Sequence, residues 1–419
     1  MRASIGRSKI NGRVRAPSSK SYTIRGLMCA ALARGQSELV YPLASDDTDA
    51  ASDVLRKVGV TVAGSGDSWR VWGGGLHAPE SDLFCHESAA TIRFMTAIAA
   101  TITGESRLTA APSLVRRPIA PLLDALKQLG VECRQDAHGI TVSGGNLRGG
   151  LTALPGNISS QYVSALLMVA PLAKQGMTVR LTTPLESKPY VEMTIECLRQ
   201  FNITVAPDTD FGEFTIANQE YKATKYVVEG DWSSASYLLA AGALGGVVVV
   251  DNLRLSSLQG DKQLVDFLRR MGASVSAGET SVTVSKADLK AIKADLTDCI
   301  DLLPTIAVLA AVAEGESELS GIARARLKES DRVASVVQEL GKAGVSVTEE
   351  RDRLLIGGTR PKGAVFDSHG DHRIAMAFGL LGLVAGDTVI EGAECVSKTY
   401  PEFWDVLAGI GGEVSTHGR

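Results

Sequence analysis

The stretch DVLRKVGVTV, residues 53–62, decides the fold of this 419-residue chain because it recurs five more times in altered form. In each copy, apolar residues at helical spacing lead to a glycine or asparagine, and a β-rich stretch follows. The other copies are DALKQLGVEC (124–133), ECLRQFNITV (196–205), DFLRRMGASV (266–275), VVQELGKAGVSV (336–347) and DVLAGIGGEV (405–414). The turn residues at 59, 130, 202, 272, 344 and 411 lie about 70 positions apart, which indicates an internal repeat.

A second helix, richer in alanine and leucine, recurs with the same period. Its copies end near Gly35, Gly104, Gly176, Gly245, Gly315 and Gly386, where glycine suits a left-handed C-cap. Each unit is therefore predicted to contain, in order, a strand, an amphipathic helix, two short strands and a buried helix. Six units predict an α/β fold of two domains with three units each, with the buried helices inside and the sheets outside.

The overall composition narrows the class of protein. A net charge of −4 and a pI near 6.0 argue against a general nucleic-acid binder. Six cysteines without a CxxC pair indicate structural thiols in a reducing compartment. The N-terminal residues lack the apolar core of a signal peptide, and the longest apolar run, at 237–250, is too short to span a membrane. We expect a cytoplasmic protein without a membrane segment.

Hydroxyl groups and cations precede several of the buried helices, as in SSKSYTIR (18–25) and HESAATIR (86–93). Helix capping accounts for the serines and aspartates. It does not account for the cations Lys20, Arg25, Arg93 and Arg373, whose charge opposes the helix dipole near an N-terminus. A bound anion would remove that conflict, so these segments predict anion binding.

Cations also precede the amphipathic helices, at Arg117, Lys188, Lys328, Arg332 and Lys398. Any one of them is most simply a solvated charge. Because they recur at the same position of the repeat, they predict a basic face on each domain, with helix N-termini facing a central cleft for anionic ligands.

Acidic residues accompany these cations. Asp301 precedes Pro304 and fits the first turn of a helix, and Glu329 lies between Lys328 and Arg332, which share a helical face at i, i+4 spacing. Such carboxylates fit salt bridging or acid–base catalysis, and the sequence leaves both open. A metal pair at His369 and His372 is the less favoured reading of the HGDH spacing.

Seven motifs in order resemble those of the 5-enolpyruvylshikimate-3-phosphate synthase family between residue 16 and about residue 404. They are KSxxxR (20–25), SSQ (159–161), SKPY (187–190), DxxP (301–304), LKESDR (327–332), DHR (371–373) and SKTYPEF (397–403). The resemblance implies two domains, each of three βαβαββ units. Residues 1–13 and 228–419 would form a discontinuous domain carrying Asp301, Lys328, Arg373 and Lys398. Residues 14–227 would form an inserted domain carrying Lys20, Arg117, Ser159–Gln161 and Tyr190.

The resemblance also implies the reaction. The family transfers the carboxyvinyl group of phosphoenolpyruvate to the 5-hydroxyl of shikimate 3-phosphate and releases phosphate through a tetrahedral intermediate, on the route to chorismate. It implies no metal and no cofactor, two small-molecule substrates, no nucleic acid and a monomer.

Site roles follow from the same resemblance. Lys20, Asp301 and Glu329 would be catalytic. Shikimate 3-phosphate would be bound by Lys20, Ser21, Arg25, Ser159, Ser160, Gln161, Ser187, Tyr190, Asp301 and Lys328. Phosphoenolpyruvate would be bound by Lys20, Ala89, Arg117, Gln161, Arg332, Arg373 and Lys398.

The sequence departs from the family pattern at Glu87, Ser88, Ala89 and Ala90, where the family commonly has Asn, Ala or Ser, Gly and Thr. In the family, the glycine lies against phosphoenolpyruvate and the inhibitor glyphosate. A methyl group at Ala89 would crowd the longer inhibitor more than the substrate, so we expect reduced glyphosate sensitivity.

Two alternative functions are compatible with the repeat. The sister family that transfers carboxyvinyl to UDP-N-acetylglucosamine usually has a cysteine in the loop before the RP pair, whereas this loop, TAAPSLVRRP (109–118), has none. A non-catalytic repeat protein could use the basic faces to bind a phosphorylated ligand or RNA. Acidic residues such as Asp301 would weaken such a site, and RNA binding would fall steeply with salt.

Overall fold

The computed structural model describes residues 1–418, which divide into two compact units. The inserted unit is Ser18–Glu229, and the discontinuous unit combines Met1–Pro17 with the chain from Gly230 onward. The sequence placed these boundaries at 13/14 and 227/228. The two crossings lie side by side in the backbone, since Ser19 N bonds to Glu229 O and Asp231 N bonds to Pro17 O, both at 2.8 Å.

Short strands and helices alternate along residues 1–418. The strands are β1 (Arg2–Ile5), β2 (Ile10–Arg15), β3 (Gly35–Val40), β4 (Thr61–Ser65), β5 (Ser68–Gly73), β6 (Leu83–Phe84), β7 (Gly104–Thr109), β8 (Glu132–Gln135), β9 (Gly139–Gly144), β10 (Gly150–Leu154), β11 (Met177–Leu181), β12 (Ala206–Pro207), β13 (Glu213–Ile216), β14 (Lys225–Val227), β15 (Gly246–Asp251), β16 (Ser274–Ala277), β17 (Ser281–Ser285), β18 (Lys293–Asp295), β19 (Glu316–Ser320), β20 (Ser346–Glu349), β21 (Arg353–Gly357), β22 (Val365–Asp367), β23 (Thr388–Glu391) and β24 (Val414–His417).

The helices of residues 1–418 are α1 (Lys20–Leu32), α2 (Asp46–Lys57), α3 (Ala89–Ala99), α4 (Pro112–Val115), α5 (Ala120–Gln128), α6 (Ser160–Val169), α7 (Lys188–Gln200), α8 (Trp232–Gly245), α9 (Leu264–Arg270), α10 (Leu303–Val312), α11 (Arg332–Lys342), α12 (His372–Ala385) and α13 (Phe403–Gly409). Twelve of them are of the two types that the repeat predicts, and the four-residue α4 is an addition before α5.

Within residues 1–418 the strands form six four-stranded sheets, three in each unit. Each sheet has one parallel pair followed by two antiparallel pairs, as in the order β6-β7-β9-β8. In four of these sheets a single buried helix joins the two parallel strands, and an amphipathic helix precedes the antiparallel strands. This is the βαβαββ unit that the family resemblance implied, and the α/β fold class is confirmed.

The repeat pattern by itself found only three of the four strands in a unit. In four units the strand before the buried helix is very short, with two residues in β6 and three each in β14, β18 and β22. Such strands form because a parallel neighbour supplies their hydrogen bonds, which local sequence does not record. A distant segment completes one sheet of the inserted unit, where β14 pairs with β3, and two sheets of the discontinuous unit, where β1 pairs with β23 and β2 with β15.

The alanine- and leucine-rich helices are buried on most sides, as the sequence predicted. Every residue of α8 from Trp232 to Leu244 is buried, and so are the last eleven residues of α1. The amphipathic helices keep one polar face, as in α11. Each unit has its own apolar core, which places the buried helices inside and the sheets around them.

The turn residues that define the repeat adopt positive φ angles, from +67° at Asn202 to +101° at Gly411. This conformation favours glycine and asparagine. The prediction that a glycine caps the C-terminus of each buried helix is only partly correct. Gly386 is a C-cap, but the C-cap of α1 is Ala33 and Gly35 already opens β3. Gly245, the last residue of α8, is absent from the positive-φ glycines of the described chain.

No helix formed by residues 1–418 combines the length and the apolarity that a membrane crossing requires.

Candidate functional site

The discontinuous unit gathers acids and bases at the starts of its helices. Arg332, the first residue of α11, is 1% exposed and touches three carboxylates. Its Nη1 donates to Asp301 at 2.7 Å and its Nε to Asp371 at 2.7 Å, and its Nη2 bonds to Glu329. The arrangement fixes the plane of the guanidinium at a helix N-terminus, where an anion is favoured.

Asp301 lies in the 3₁₀ segment Ile300–Leu302 directly before α10. Besides Arg332, it accepts from Lys328 Nζ and from Arg373 Nη2, both at 3.2 Å. Three cations therefore surround one carboxylate that is 9% exposed.

These cations set the ionisation of Asp301. Burial opposes its charge, but Arg373, Lys328 and Arg332 together outweigh burial and hold the pKa of Asp301 well below its usual range. Burial also lowers the pKa of Lys328, while the Asp301 charge acts in the opposite direction. Around Arg332 the charges of Asp371, Glu329 and Asp301 overcome burial and raise its pKa.

The structure corrects the predicted relation between Lys328 and Arg332. Lys328 is not helical, because it caps the 3₁₀ segment Ala323–Leu327 in an extended conformation, and α11 begins only at Arg332. The two cations therefore meet at Asp301 and do not share a helical face.

The loop that carries Asp371 is fixed by side chains from two other elements. His369 and Gly370 both have positive φ, at 52° and 64°. His369 Nε2 lies 2.8 Å from Oε1 of Glu339, a fully buried residue of α11. Lys398 Nζ donates to Gly370 O at 2.9 Å. Asp371 then caps α12 by accepting from Arg373 N at 2.9 Å.

The HGDH spacing left a metal pair at His369 and His372 as the less favoured interpretation. His369 instead contacts Glu339, whereas His372 is buried in the first turn of α12. Among residues 1–418, no three His, Cys, Asp or Glu side chains are grouped to hold a metal ion.

In the inserted unit, α1 begins with two of the predicted anion-binding residues. Ser19 caps the helix by accepting from Tyr22 N, and Lys20 is its first residue. Lys20 Nζ donates to Asp47 of α2 at 2.8 Å. The next residue, Ser21, is half-buried.

Arg25 lies in the second turn of α1 and is 2% exposed. Its Nε donates to the Thr194 hydroxyl at 2.8 Å, its Nη1 to Ser21 O at 3.0 Å and its Nη2 to Tyr190 O at 3.1 Å. Burial lowers the pKa of Arg25. The guanidinium is therefore held between α1 and α7 in one orientation.

Ser159 and Gln161 belong to the start of α6, where Ser159 caps the helix by accepting from Gln161 N at 3.3 Å and Ser160 is the first helical residue. Arg93 Nη1 donates to Gln161 Oε1 at 2.6 Å. The predicted ligand Gln161 thus meets a cation that the sequence had identified only as part of an anion-binding segment.

Ser187 caps α7 in the left-handed conformation, with φ of 55°. Lys188 and Tyr190 follow in the first turn, after which Tyr190 O receives the bond from Arg25. The left-handed residue directs the chain into this helix, and a residue other than glycine is uncommon in this conformation.

Ala89 is the half-buried first residue of α3, and Glu87 comes two residues earlier. Glu87 Oε1 accepts from the Ser113 hydroxyl of α4 at 3.0 Å. Arg117 follows two residues after α4, and it lines one cavity together with Arg93. Glu87 therefore ties the start of α3 to the segment that leads to Arg117.

Sequence reasoning missed Asp47 and Asp371 as partners of the functional cations. Asp47 belongs to SDDT (45–48) and Asp371 to DHR, so both were visible only as helix caps. No pattern in the sequence indicated that Thr194 would orient Arg25 or that Glu339 would orient His369. Their contacts join positions 169 and 30 residues apart.

Comparisons with known proteins give one consistent result. A model of the family "EPSP synthase (3-phosphoshikimate 1-carboxyvinyltransferase)" matches residues 5–407. A 3-phosphoshikimate 1-carboxyvinyltransferase of Dehalococcoides mccartyi is 49% identical over 416 residues, covering 99% of both chains. One from Methanothermobacter thermautotrophicus is 42% identical over 409 residues, covering 96% of both.

Two solved structures are similar to this chain over nearly its full length. An EPSP synthase of Acinetobacter baumannii superposes with a TM-score of 0.84 at 26% identity, covering 99% of this chain and 100% of that one. The enolpyruvyl transferase NikO of Streptomyces tendae has the same fold, with a TM-score of 0.82 at 18% identity and coverage of 100% and 99%.

Proposed function

Since this chain belongs to the EPSP synthase family, we propose that it transfers the carboxyvinyl group of phosphoenolpyruvate to the 5-hydroxyl of shikimate 3-phosphate. Phosphate is released, and the reaction is the step of the shikimate pathway that leads towards chorismate. The observation that carries the proposal is the Asp301 carboxylate held ionised among Lys328, Arg332 and Arg373.

The cations of both units serve two phosphorylated substrates in this proposal. Lys20, Ser21 and Arg25 bind shikimate 3-phosphate together with seven further residues. These are Ser159, Ser160, Gln161, Ser187, Tyr190, Asp301 and Lys328. Phosphoenolpyruvate is bound by Lys20, Ala89, Arg117, Gln161, Arg332, Arg373 and Lys398. Arginine suits this task because its planar fork matches carboxylate and phosphate oxygens.

Substrate binding would also turn Asp301 into a base. Before binding, Arg332 and Arg373 neutralise it and keep its pKa low. When the substrate anions take over these guanidinium groups, their pull on Asp301 weakens and its pKa rises. Asp301 then accepts the proton of the 5-hydroxyl as oxygen attacks C2 of phosphoenolpyruvate.

Proton transfer at C3 completes the addition and reverses in the elimination. We assign this transfer to Glu329 and Lys20 as the remaining acid–base pair. Glu329 is held at Arg332, whereas Lys20 is held at Asp47. C3 gains a proton as the new C2–O bond forms. It loses one as the C2–O bond to phosphate breaks, so the enol double bond is restored.

The protein is further proposed to be a cytoplasmic monomer that needs no metal or cofactor, since its own cations neutralise the phosphates. The UDP-N-acetylglucosamine reaction is the alternative that the same fold permits.

The test is phosphate release from phosphoenolpyruvate with shikimate 3-phosphate or with UDP-N-acetylglucosamine. Release only with the shikimate substrate supports the proposal, and release only with the sugar nucleotide overturns it. We expect D301N to lower kcat by about 10²-fold or more, because it removes the base. D266N removes an exposed carboxylate of α9 and should match the parent protein.

A further inference from the structure

Asp261 is a buried carboxyl group that the proposed reaction does not use. It lies in the 3₁₀ segment Gly260–Gln263 and is 2% exposed. The Ser233 hydroxyl, in the first turn of α8, bonds to its Oδ2. Its Oδ1 accepts no hydrogen bond from any residue of the described chain 1–418. A buried charge with an unsatisfied oxygen is costly, so this environment favours the neutral acid.

Charged groups from several elements face Asp261. The charge of Asp301 acts on it from the 3₁₀ segment before α10, that of Arg373 from α12 and that of Asp231 from the cap of α8. The Cys299 thiol contacts Gln263 Oε1 at 3.6 Å, and burial raises its pKa together with the charge of Asp261. The neighbouring Lys262 donates its ammonium protons to backbone carbonyls at positions 255 and 257.

The two neighbouring carboxyl groups are driven apart in their ionisation. Burial raises the pKa of Asp261 to about 7, and the charge of Asp301 adds to the rise, while Arg373 and the Ser233 hydroxyl act against it. The cations hold the pKa of Asp301 well below its usual range. Below about pH 7, the pair therefore carries mainly one negative charge, on Asp301, and Asp261 ionises as the pH rises above that value.

We propose that Asp261 is a positioning residue that acts as the neutral acid, so that Asp301 carries the only charge of this pair and Arg373 serves the anionic substrate. This inference rests on the proposed function. Asp261 would thus be a second carboxyl group of the site. Its protonation keeps the negative charge of the pair on Asp301, and it does not contact the reacting atoms.

Ionisation of Asp261 should weaken the binding of phosphoenolpyruvate. It places a second negative charge beside Arg373, which then attracts phosphoenolpyruvate less strongly. The KM for phosphoenolpyruvate should therefore rise as the pH increases through about 7, while kcat changes less, because substrate binding is what weakens.

The experiment measures kcat and KM for phosphoenolpyruvate between about pH 6 and pH 8.5 in the full-length protein and in D261N. The amide has the size of the neutral acid and cannot ionise. We expect D261N to stay within about threefold of the parent at pH 6 and to lack the rise in KM. D266N removes an exposed carboxylate nearby and should follow the parent at every pH. Parallel KM profiles of the parent and D261N would overturn the proposal, as would a loss of about tenfold or more in D261N at pH 6.

The variant S233A is a second test of the titration of Asp261. The Ser233 hydroxyl lowers the pKa of Asp261, so S233A should move the rise in KM to higher pH. A rise at unchanged or lower pH in S233A would contradict the assignment of the titration to Asp261.

Thermal stability separates this inference from the proposed reaction. A carboxyl group whose pKa is raised by folding stabilises the folded state at low pH, and that contribution disappears as the pH rises through the folded pKa. The melting temperature of the parent should thus fall relative to D261N between about pH 5 and pH 8. If the protein releases no phosphate, the proposed function fails. The melting curves would still support or overturn a neutral Asp261.

Discussion

At the residue scale, one guanidinium organises the discontinuous unit. Arg332 joins Asp301, Glu329 and Asp371, which come from three separate segments. A buried arginine is stable only when its donors are satisfied, so these acids serve the folded protein before any substrate arrives. The same donors suit the oxygens of a phosphate or a carboxylate, and exchange of partners at Arg332 and Arg373 links folding to the proposed catalysis.

A prediction at this scale concerns Ala89, the first residue of α3. Replacing it by glycine removes the methyl group that we expect to crowd glyphosate more than phosphoenolpyruvate. In A89G the inhibition constant for glyphosate should fall by about tenfold or more, corresponding to about 1.4 kcal/mol, while KM for phosphoenolpyruvate changes less than about threefold. Inhibition assays at several substrate concentrations measure both values.

A90G is the matched control, since Ala90 is the second residue of the same helix and is also half-buried. Equal glyphosate inhibition in the parent and A89G would show that the methyl group does not determine sensitivity.

At the element scale, the segment between β22 and α12 connects the buried side of α11 with the proposed substrate arginines. Glu339 accepts from Lys342 Nζ at 2.7 Å, from Asp367 N at 3.1 Å and pairs with His369. These contacts hold two successive residues in the left-handed conformation and so place Asp371 against Arg332. The strain of these residues is retained because the surrounding contacts determine the loop.

The prediction at this scale is that the contact between His369 and Glu339 positions Arg332 through Asp371. H369N should raise KM for phosphoenolpyruvate by several-fold and change kcat less, because asparagine tolerates a positive φ but is too short to reach Glu339. Steady-state kinetics with varied phosphoenolpyruvate measure this split.

E339A should have at least as large an effect, because it removes this contact together with those to Lys342 and Asp367, and the double variant should be no worse than E339A. Additive effects of the two substitutions would show that His369 and Glu339 act separately.

At the scale of the whole molecule, the chain consists of two units with separate cores. The inserted unit is one continuous segment whose ends are tied together, because β14 pairs with β3 and Ser19 N bonds to Glu229 O. With about 210 residues, it is large enough to bury a sufficient core on its own.

We therefore expect residues 18–229, expressed alone, to fold cooperatively and to release no phosphate. Folding follows from the closed set of three sheets, and the inactivity follows because Asp301 and Glu329 belong to the discontinuous unit. Circular dichroism during thermal unfolding and the phosphate assay test the two parts. A non-cooperative melt would mean that the inserted unit depends on the rest of the chain.

The sequence by itself determined the six-fold repeat, both helix types and the cations at the helix starts. These features are local: helical periodicity, glycine at positive φ and a charge next to a helix terminus are written in neighbouring residues. Only the tertiary structure decided the fourth strand of each unit, the meeting of Lys328 with Arg332 at Asp301, and the burial of Asp261. Each depends on contacts between residues distant in the chain, and both burial and charge proximity arise only when those residues pack together.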